Sequence, residues 1–188
     1  MTIIESIGFT KLDYSLAPLP KGEYDNCTFT DCIFTAADVS GIIFSECVFD
    51  GCNFSMANVR NSAWKDAQFK NCKLLGFNFN YCDPFLLAIS FEDCQLHLAS
   101  FYKLKLKNTK FIKCDLREVD FVEADLTGAR FDGCDLSKAI FQNTILEKAD
   151  FRTAYNYSID PEMNRIKKAK FSREGVTGLL DKYRISIE

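Results

Sequence analysis

The sequence predicts an all-β solenoid, a coil of short strands stacked along one axis. Three regularities predict it: a large apolar residue recurs every five positions, a small residue precedes it by two positions, and like residues recur every twenty positions. A period of five matches neither the 3.6-residue period of a helix nor the two-residue period of a strand. Each five-residue unit must therefore turn a corner, and the units must stack.

The large residues form two runs of units. The first run extends from Tyr24 to Phe79 and the second from Leu86 to Phe151, which gives 26 units with Leu86 counted as an inward-facing centre. Phe79 and Leu86 are seven residues apart, so two residues are inserted within Asn80–Phe85, where Asp and Pro supply turn chemistry. We interpret this insertion as a bulge at one corner, and a protruding contact for a partner is the alternative.

The small position of the unit contains all nine cysteines of the chain. A free cysteine behaves as a small apolar residue, so this placement predicts buried packing residues and neither a disulfide framework nor metal ligands. Cys94, Cys114 and Cys134 are twenty residues apart, as are Phe111, Phe131 and Phe151. We therefore expect each of these sets to stack along one side of the coil.

The two ends of the coil need covers, because each coil buries its apolar surface only against its neighbours. Residues 1–22 are predicted to cap the first coil with Ile3, Ile4, Ile7, Phe9 and Leu12. From Ser172, a candidate N-cap, the pattern becomes helical, with Val176, Leu179, Leu180 and Tyr183 on one face. The chain is thus divided into a capped coil over 1–158 and a C-terminal turn, last repeat and helix over 159–188.

The unit, as in Ala124-Asp-Leu-Thr-Gly, resembles the repeat of the pentapeptide-repeat family. This resemblance implies a right-handed quadrilateral β-helix with four units per coil of about 20 residues, closed by a short C-terminal capping and dimerisation α-helix. At a strand spacing of about 4.8 Å, 26 units would form six and a half coils and a rod of roughly 30 Å.

The tail, Ile159–Ile166 with Ala169–Phe171 and Gly178–Ile185, resembles the ends of the Qnr and McbG members of that family. The resemblance implies a homodimer, with Leu179, Leu180, Tyr183, Ile185 and Ile187 as candidate interface residues. A monomeric cap with the same apolar face is the alternative. Qnr, McbG and MfpA likeness further implies a non-enzymatic DNA mimic that binds and protects a type II topoisomerase, DNA gyrase or topoisomerase IV. A scaffold for an unrelated protein partner is the alternative function.

The charge distribution bears on that function. A net charge of −3 argues against direct nucleic-acid binding, which needs an excess of Lys and Arg. Residues 101–113 contain five lysines and no acid, and residues 114–150 contain nine acids and four bases. The candidate partner-binding residues, which would form a phosphate-like surface, are Glu118, Asp120, Glu123 and Asp125. The lysines at 103–113 interrupt this acidic surface.

No motif points to catalysis, a cofactor or a metal. The cysteine pairs that look like zinc ligands follow from the five-residue period, and the single histidine, His97, is expected on the outside. No apolar stretch is long enough to cross a membrane, and the N-terminus lacks a signal-peptide layout. The sequence therefore predicts a soluble cytoplasmic binding protein.

Overall fold

The computed structural model describes residues 2–187 and confirms the predicted fold class, an all-β parallel solenoid with four sides. Its strands are three or four residues long, and every pairing between them is parallel. The strands are β1 (Ile3–Glu5), β2 (Gly8–Thr10), β3 (Glu23–Asp25), β4 (Thr28–Thr30), β5 (Ile43–Ser45), β6 (Val48–Asp50), β7 (Ala63–Lys65), β8 (Ala67–Lys70), β9 (Ile89–Glu92), β10 (Lys110–Ile112) and β11 (Arg130–Asp132). A 3-10 helix, η1, spans Phe79–Tyr81.

The four sides of the coil are called faces 1 to 4 in chain order. Face 1 contains the sheet β1-β3-β5-β7, and face 2 contains the seven-stranded sheet from β2 to β11. On faces 3 and 4, successive coils are joined by isolated parallel β-bridges, such as Asp115↔Asp135 on face 3 and Asp120↔Ile140 on face 4. The inward-facing centres are, for face 1, Ile4, Tyr24, Phe44, Trp64, Leu106, Leu126 and Leu146; for face 3, Tyr14, Phe34, Phe54, Leu74, Leu96, Leu116 and Leu136; and for face 4, Leu19, Val39, Val59, Phe79, Phe101, Phe121 and Phe141.

Face 2 is a column of nine stacked phenylalanines, and coils 1 to 9 are numbered by these residues. Ring centroids of neighbours lie 4.6 to 5.4 Å apart, from the Phe131–Phe151 pair to the Phe151–Phe171 pair. The column consists of Phe9, Phe29, Phe49, Phe69, Phe91, Phe111, Phe131, Phe151 and Phe171. Eight intervals of about 4.8 Å make a rod of roughly 40 Å, longer than the predicted 30 Å.

The extra length comes partly from residues 2–21, which form coil 1 instead of the predicted cap. Strand β1 pairs with β3 in the register Ile4↔Tyr24, and β2 pairs with β4 in the register Phe9↔Phe29. Ile3 and Ile7 point outward and are exposed. The five-residue pattern of the first run therefore begins one coil earlier, at Ile4, and continues through Phe9, Tyr14 and Leu19.

Most corners are made by the second residue after a centre, which adopts a positive φ. Glu118 and Glu123 have φ values of 56° and 58°. This left-handed conformation costs an L-residue roughly 1–2 kcal/mol. The backbone N–H of the same residue donates to the next coil, Glu118 to the Ser137 carbonyl and Glu123 to the Gln142 carbonyl, both at 2.9 Å. Hydrogen bonding between coils thus offsets the strain at these corners.

The insertion shifts the register differently from the prediction. Leu86 was predicted to be an inward-facing centre, but 62% of it is exposed. Two added residues carry the chain outward after Asp83, and the Ala88 N–H donates to the Trp64 carbonyl, 3.0 Å away. At coil 5 the partly buried Leu87 packs against the core in place of a fully buried centre on face 1, and Phe85 and Leu86 protrude.

The tail contains two 3-10 helices, η2 (Gly175–Leu179) and η3 (Asp181–Tyr183), where a single α-helix was predicted. Two glycines weaken an α-helix at this point. A Cβ at Gly178 would collide with the backbone carbonyl of Tyr157, so this glycine permits close packing of the tail on the coil. The N-cap of η2 is Glu174 and not the predicted Ser172, although the Ser172 hydroxyl accepts a hydrogen bond of 2.9 Å from the Gly175 N–H.

The cysteines are all buried and free, in agreement with their predicted packing role. The Sγ of Cys47 lies 3.2 Å from the Tyr24 carbonyl oxygen, to which it donates. Burial raises the pKa of the Cys47 thiol to about 12 and that of Cys82 to about 11. These thiols are therefore protonated and unreactive at neutral pH.

Candidate protein-binding surface

Aspartates that precede a centre have their carboxylates fixed by the corner that follows. Asp115, Asp120 and Asp125 accept hydrogen bonds from the backbone N–H groups two residues later, at 3.1, 2.9 and 3.1 Å respectively. Asp135 and Asp150 accept the corresponding bonds at 3.0 and 3.2 Å. The repeat thus holds negative charge in a set orientation along the rod.

The candidate partner-binding acids lie close together on coils 6 and 7, and three of them form ion pairs. Glu118 pairs with Lys138 at 3.6 Å, Glu123 with Lys103 at 3.4 Å, and Asp125 with Lys107 at 3.3 Å. Asp120 instead accepts a 3.4 Å hydrogen bond from the Ser100 hydroxyl. Glu118 and Glu123 stand at corners, Asp120 lies on face 4, and Asp125 lies on face 1.

The five lysines between 103 and 113 wrap around half of coil 6. Lys103 stands at the corner before face 1 and lies 4.8 Å from the centroid of the Tyr102 ring. The backbone of Lys105 forms an isolated β-bridge with that of Asp125 on face 1, whereas Lys110 is the first residue of β10 on face 2. Two of these lysines pair with two of the candidate acids, Lys103 with Glu123 twenty residues later and Lys107 with Asp125 eighteen residues later, so each pair joins adjacent coils.

Ion pairing differs sharply along the rod. Among residues 2–187, ten of the eleven ion pairs lie between Lys103 and Lys182, and the remaining one joins Lys21 to Asp38. The guanidinium of Arg117 lowers the pKa of Asp115, and that of Arg152 lowers the pKa of Asp150. Burial opposes the lowered pKa of Asp125, but the Thr127 hydroxyl and N–H and Lys107 outweigh it.

The candidate dimer residues of the tail fall into two groups. Leu179 packs against the core and Leu180 is half-buried, whereas Tyr183, Ile185 and Ile187 are more than half exposed. Lys182 fixes this segment to coil 8 through Asp160 and Glu162, at 2.8 and 2.6 Å. The tail therefore covers the coil with one side and presents apolar side chains on the other.

The insertion forms an apolar projection midway along the rod. Phe85 is 67% exposed, Leu86 62% and Tyr81 54%. The Arg60 guanidinium lies 5.8 Å from the centroid of the Tyr81 ring. Exposed apolar groups of this size mark contact sites more often than isolated surface leucines do.

The part of the chain that is described shows no cluster of side chains typical of a metal site. His97 lies at the surface, with Nδ1 3.0 Å from the Arg117 carbonyl oxygen. Within residues 2–187 no cluster of three His, Cys, Asp or Glu side chains could hold a metal ion. No helix in that range is long and apolar enough to cross a membrane. The surface features that stand out are therefore charged and apolar contacts.

Comparison with known proteins finds a family model described as "Pentapeptide repeat region", which matches residues 23–84 and 86–155. Full-length QnrB1, a plasmid-mediated fluoroquinolone resistance protein, superposes with a TM-score of 0.58 at 18% identity, covering 98% of this chain and 100% of QnrB1. HetL, a pentapeptide repeat protein involved in heterocyst differentiation regulation from the cyanobacterium Nostoc sp. strain PCC 7120, gives 0.46 at 18% identity, over 92% and 88% of the two chains. No curated protein matches.

Proposed function

Because the chain belongs to the pentapeptide-repeat family, we propose that it is a non-enzymatic binding protein that mimics DNA and protects a type II topoisomerase, gyrase or topoisomerase IV. The observation that carries the proposal is the orientation of carboxylates by the corners, since Asp115, Asp120 and Asp125 are fixed on successive sides of the rod. The likeness to QnrB1, whose name links it to fluoroquinolone resistance, supports the choice of partner.

The net charge of the chain is too small for the whole rod to mimic DNA, so we propose that only part of its surface does. Duplex DNA carries one phosphate charge per about 1.7 Å of axis, so a 40 Å segment carries roughly 24 charges. The chain has 26 acids, but its 23 Lys and Arg reduce the net charge to −3. We therefore assign the topoisomerase contact to the acids of coils 6 and 7, namely Glu118, Asp120, Glu123 and Asp125.

A supercoiling assay with purified gyrase, with and without a fluoroquinolone, tests the proposal. The full-length protein should preserve supercoiling activity in the presence of the drug. A Glu118→Gln, Glu123→Gln variant should bind more slowly, because these two carboxylates steer the rod to a basic groove and make no corner hydrogen bond. The matched control, Glu92→Gln with Asp93→Asn, removes the same charge elsewhere and should behave as wild type.

Neutralising lysines gives the opposite expectation. Changing Lys103, Lys105 and Lys107 to Gln frees Glu123 and Asp125 from their ion pairs, so association should become faster. Absence of any gyrase or topoisomerase IV contact by a correctly folded protein would refute the topoisomerase proposal. The second candidate, a scaffold for another protein, would then stand, and the small net charge and the exposed Phe85 and Leu86 favour it.

The tail supports a homodimer as part of this proposal. Tyr183, Ile185 and Ile187 present apolar surface away from the coil, while Leu179 and Leu180 position the segment. Light scattering on a Tyr183→Ser, Ile185→Ser, Ile187→Ser variant should show loss of the tail-mediated dimer. An unchanged mass for this variant would leave the tail as a monomeric cap.

A further inference from the structure

Face 1 carries opposite charges on the two halves of the rod. Its outward residues on coils 1 to 4 comprise five acids and one lysine, a net charge of −4: Glu5, Glu23, Asp25, Glu46, Asp66 and Lys65. Those on coils 6 to 9 comprise six bases and two acids, a net charge of +4: Lys105, Lys107, Lys148, Arg165, Lys167, Lys168, Asp125 and Glu147. The sign changes at coil 5, where the insertion interrupts the face.

Internal pairing leaves most of this charge available. In the basic half, Lys107 pairs with Asp125 at 3.3 Å, and Arg165 with Glu147 at 2.6 Å. The other four bases, Lys105, Lys148, Lys167 and Lys168, take part in none of the ion pairs among residues 2–187. The five acids of the lower half also take part in none of those pairs. Two unsatisfied surfaces of opposite sign therefore share one face.

Apolar side chains stand where the two surfaces meet. Phe91, in coil 5, is the middle ring of the nine-membered column, so the insertion lies at the midpoint of the rod. Phe85 and Leu86 project there and are 67% and 62% exposed. A contact centred on coil 5 would bury them while its charged arms lie on either side.

We propose that face 1 binds face 1 of a second copy of this chain in an antiparallel arrangement, about a twofold axis at coil 5. The axis lies in the contact plane and is perpendicular to the rod. It places the acidic half of each copy against the basic half of the other, and Phe85 and Leu86 of one copy beside those of its partner. Such an isologous contact closes as a dimer.

The charge pattern of face 1 favours a second copy of the chain over a polyanion such as a nucleic acid. A nucleic acid laid along face 1 would meet the basic half favourably and the acidic half, at −4, unfavourably. A second antiparallel copy meets complementary charge along the whole length. A face of roughly 40 by 15 Å would bury about 1,200 Å² in total from the two copies, the lower end of specific interfaces.

This contact is separate from the tail surface and shares Asp125, which lies on face 1, with the proposed topoisomerase surface. Lys182 holds the tail beside Asp160 on face 4 of coil 8, away from face 1. Glu118 and Asp120 lie beyond face 1 and stay accessible in the pair. Light scattering in the Tyr183→Ser, Ile185→Ser, Ile187→Ser background therefore isolates face 1 pairing from tail pairing.

Two full-length variants in that background test the proposal. The basic-face variant carries Glu5→Lys, Asp25→Lys and Glu46→Lys, and the acidic-face variant carries Lys105→Glu, Lys148→Glu and Lys167→Glu. Each alone should dimerise roughly tenfold or more weakly than its parent, because like charges oppose one another. Mixed together they should form a one-to-one complex, retained when one is tagged and weakened by rising salt.

A control for net charge carries Lys73→Glu, Arg117→Glu and Lys138→Glu, all on face 3, and should dimerise like the parent. Phe85→Ser with Leu86→Ser should weaken the pair without abolishing the charge complementarity of the mixed variants. A parent that stays monomeric at high micromolar concentration, or variants that do not combine on mixing, would overturn the proposal. Retention of duplex DNA by the parent, without self-association, would also overturn it and assign the basic half to nucleic acid.

Discussion

Coils 2 and 3 fill the same cross-section with different residues from coils 6 and 7. Each lower coil has three aromatic centres and one valine, as in Phe44, Phe49, Phe54 and Val59, all essentially fully buried. Each upper coil has two phenylalanines on faces 2 and 4 and two leucines on faces 1 and 3. In the upper coils, phenylalanines stack along each face and meet edge to face across the core, as do Phe101 and Phe111 at 5.8 Å and 81°.

The change between these two packings is coordinated. On face 3 the centre changes from Phe54 to Leu74, and on face 4 it changes from Val59 to Phe79 within the same coil. A large residue is lost and another is gained, so the enclosed volume stays nearly constant. The summed volume of the four inward-facing side chains is therefore constrained in each coil, whereas its distribution over the four faces can vary, as in other close-packed cores.

The largest effects are expected from removing a stacked phenylalanine. Phe49→Ala and Phe111→Ala should each lower the free energy of unfolding by about 3–5 kcal/mol, through lost burial and an unfilled cavity. Phe49 should lie at the upper end, because its ring meets six aromatic rings, whereas that of Phe111 meets four. Urea unfolding would measure both changes. A larger loss of unfolding free energy for Phe111→Ala than for Phe49→Ala would contradict this ranking of the two packings.

A volume swap in coil 3 should have an intermediate effect. Val59→Phe alone overpacks the aromatic coil and should cost about 1–3 kcal/mol. Combining it with Phe44→Leu and Phe54→Leu converts coil 3 to the composition of the upper coils and should recover much of that loss. Thermal unfolding of the single and triple variants checks this, and a triple variant less stable than Val59→Phe would show that volume alone does not govern the coil.

The sequence predicted the repeated part of this architecture well. The five-residue period identifies inward positions such as Phe49 and Phe111, because a large apolar side chain is tolerated only inside the coil. It could not place Leu86, whose period fits although the two-residue insertion moves its backbone outward. Coil 1 was predictable from Ile4, Phe9, Tyr14 and Leu19, but exposed isoleucines beside them obscured the register.

The arrangement of charges on the surface was harder to predict from the sequence than the core. The acids from Glu118 to Asp125 were selected by charge in the linear chain, and their lysine partners become neighbours only when the coil stacks residues about 20 positions apart. Similarly, the opposite charges of face 1 are dispersed over more than 160 residues. The helical tail was read from side-chain periodicity, which does not reveal that Gly178 must pack against the Tyr157 carbonyl.

The paired carboxylates of the upper half should make it the more acid-sensitive half. Asp150 bonds the Arg152 guanidinium at 2.8 Å and the Arg152 backbone N–H at 3.2 Å. The Arg152 side chain lowers the pKa of Asp150. Such a group stabilises the fold fully above its unfolded pKa of about 3.9 and loses this contribution as pH falls through its lower folded value.

At pH 7, Asp150→Asn should therefore lower the free energy of unfolding by about 1 kcal/mol, a typical value for lost charge-assisted hydrogen bonds near the surface. Asp25→Asn, at an outward position without an ion pair among residues 2–187, should cost less than about 0.5 kcal/mol. Urea unfolding at pH 7 and below pH 3 measures both. The difference between wild type and Asp150→Asn should shrink in acid, and a difference that grows there would contradict the assignment.

The smallest effect is expected at the junction between the two packings. Leu86 occupies a centre by sequence period, and a buried leucine such as Leu126 costs about 2–5 kcal/mol when changed to Ala. Because Leu86 is 62% exposed, Leu86→Ser should change the free energy of unfolding by only about 0.5 kcal/mol or less. Leu126→Ala is the matched buried control, and the comparison is made below the concentration at which copies associate. A loss for Leu86→Ser as large as that of the control would mean that the five-residue period continues through the insertion and that the two halves share one uninterrupted core.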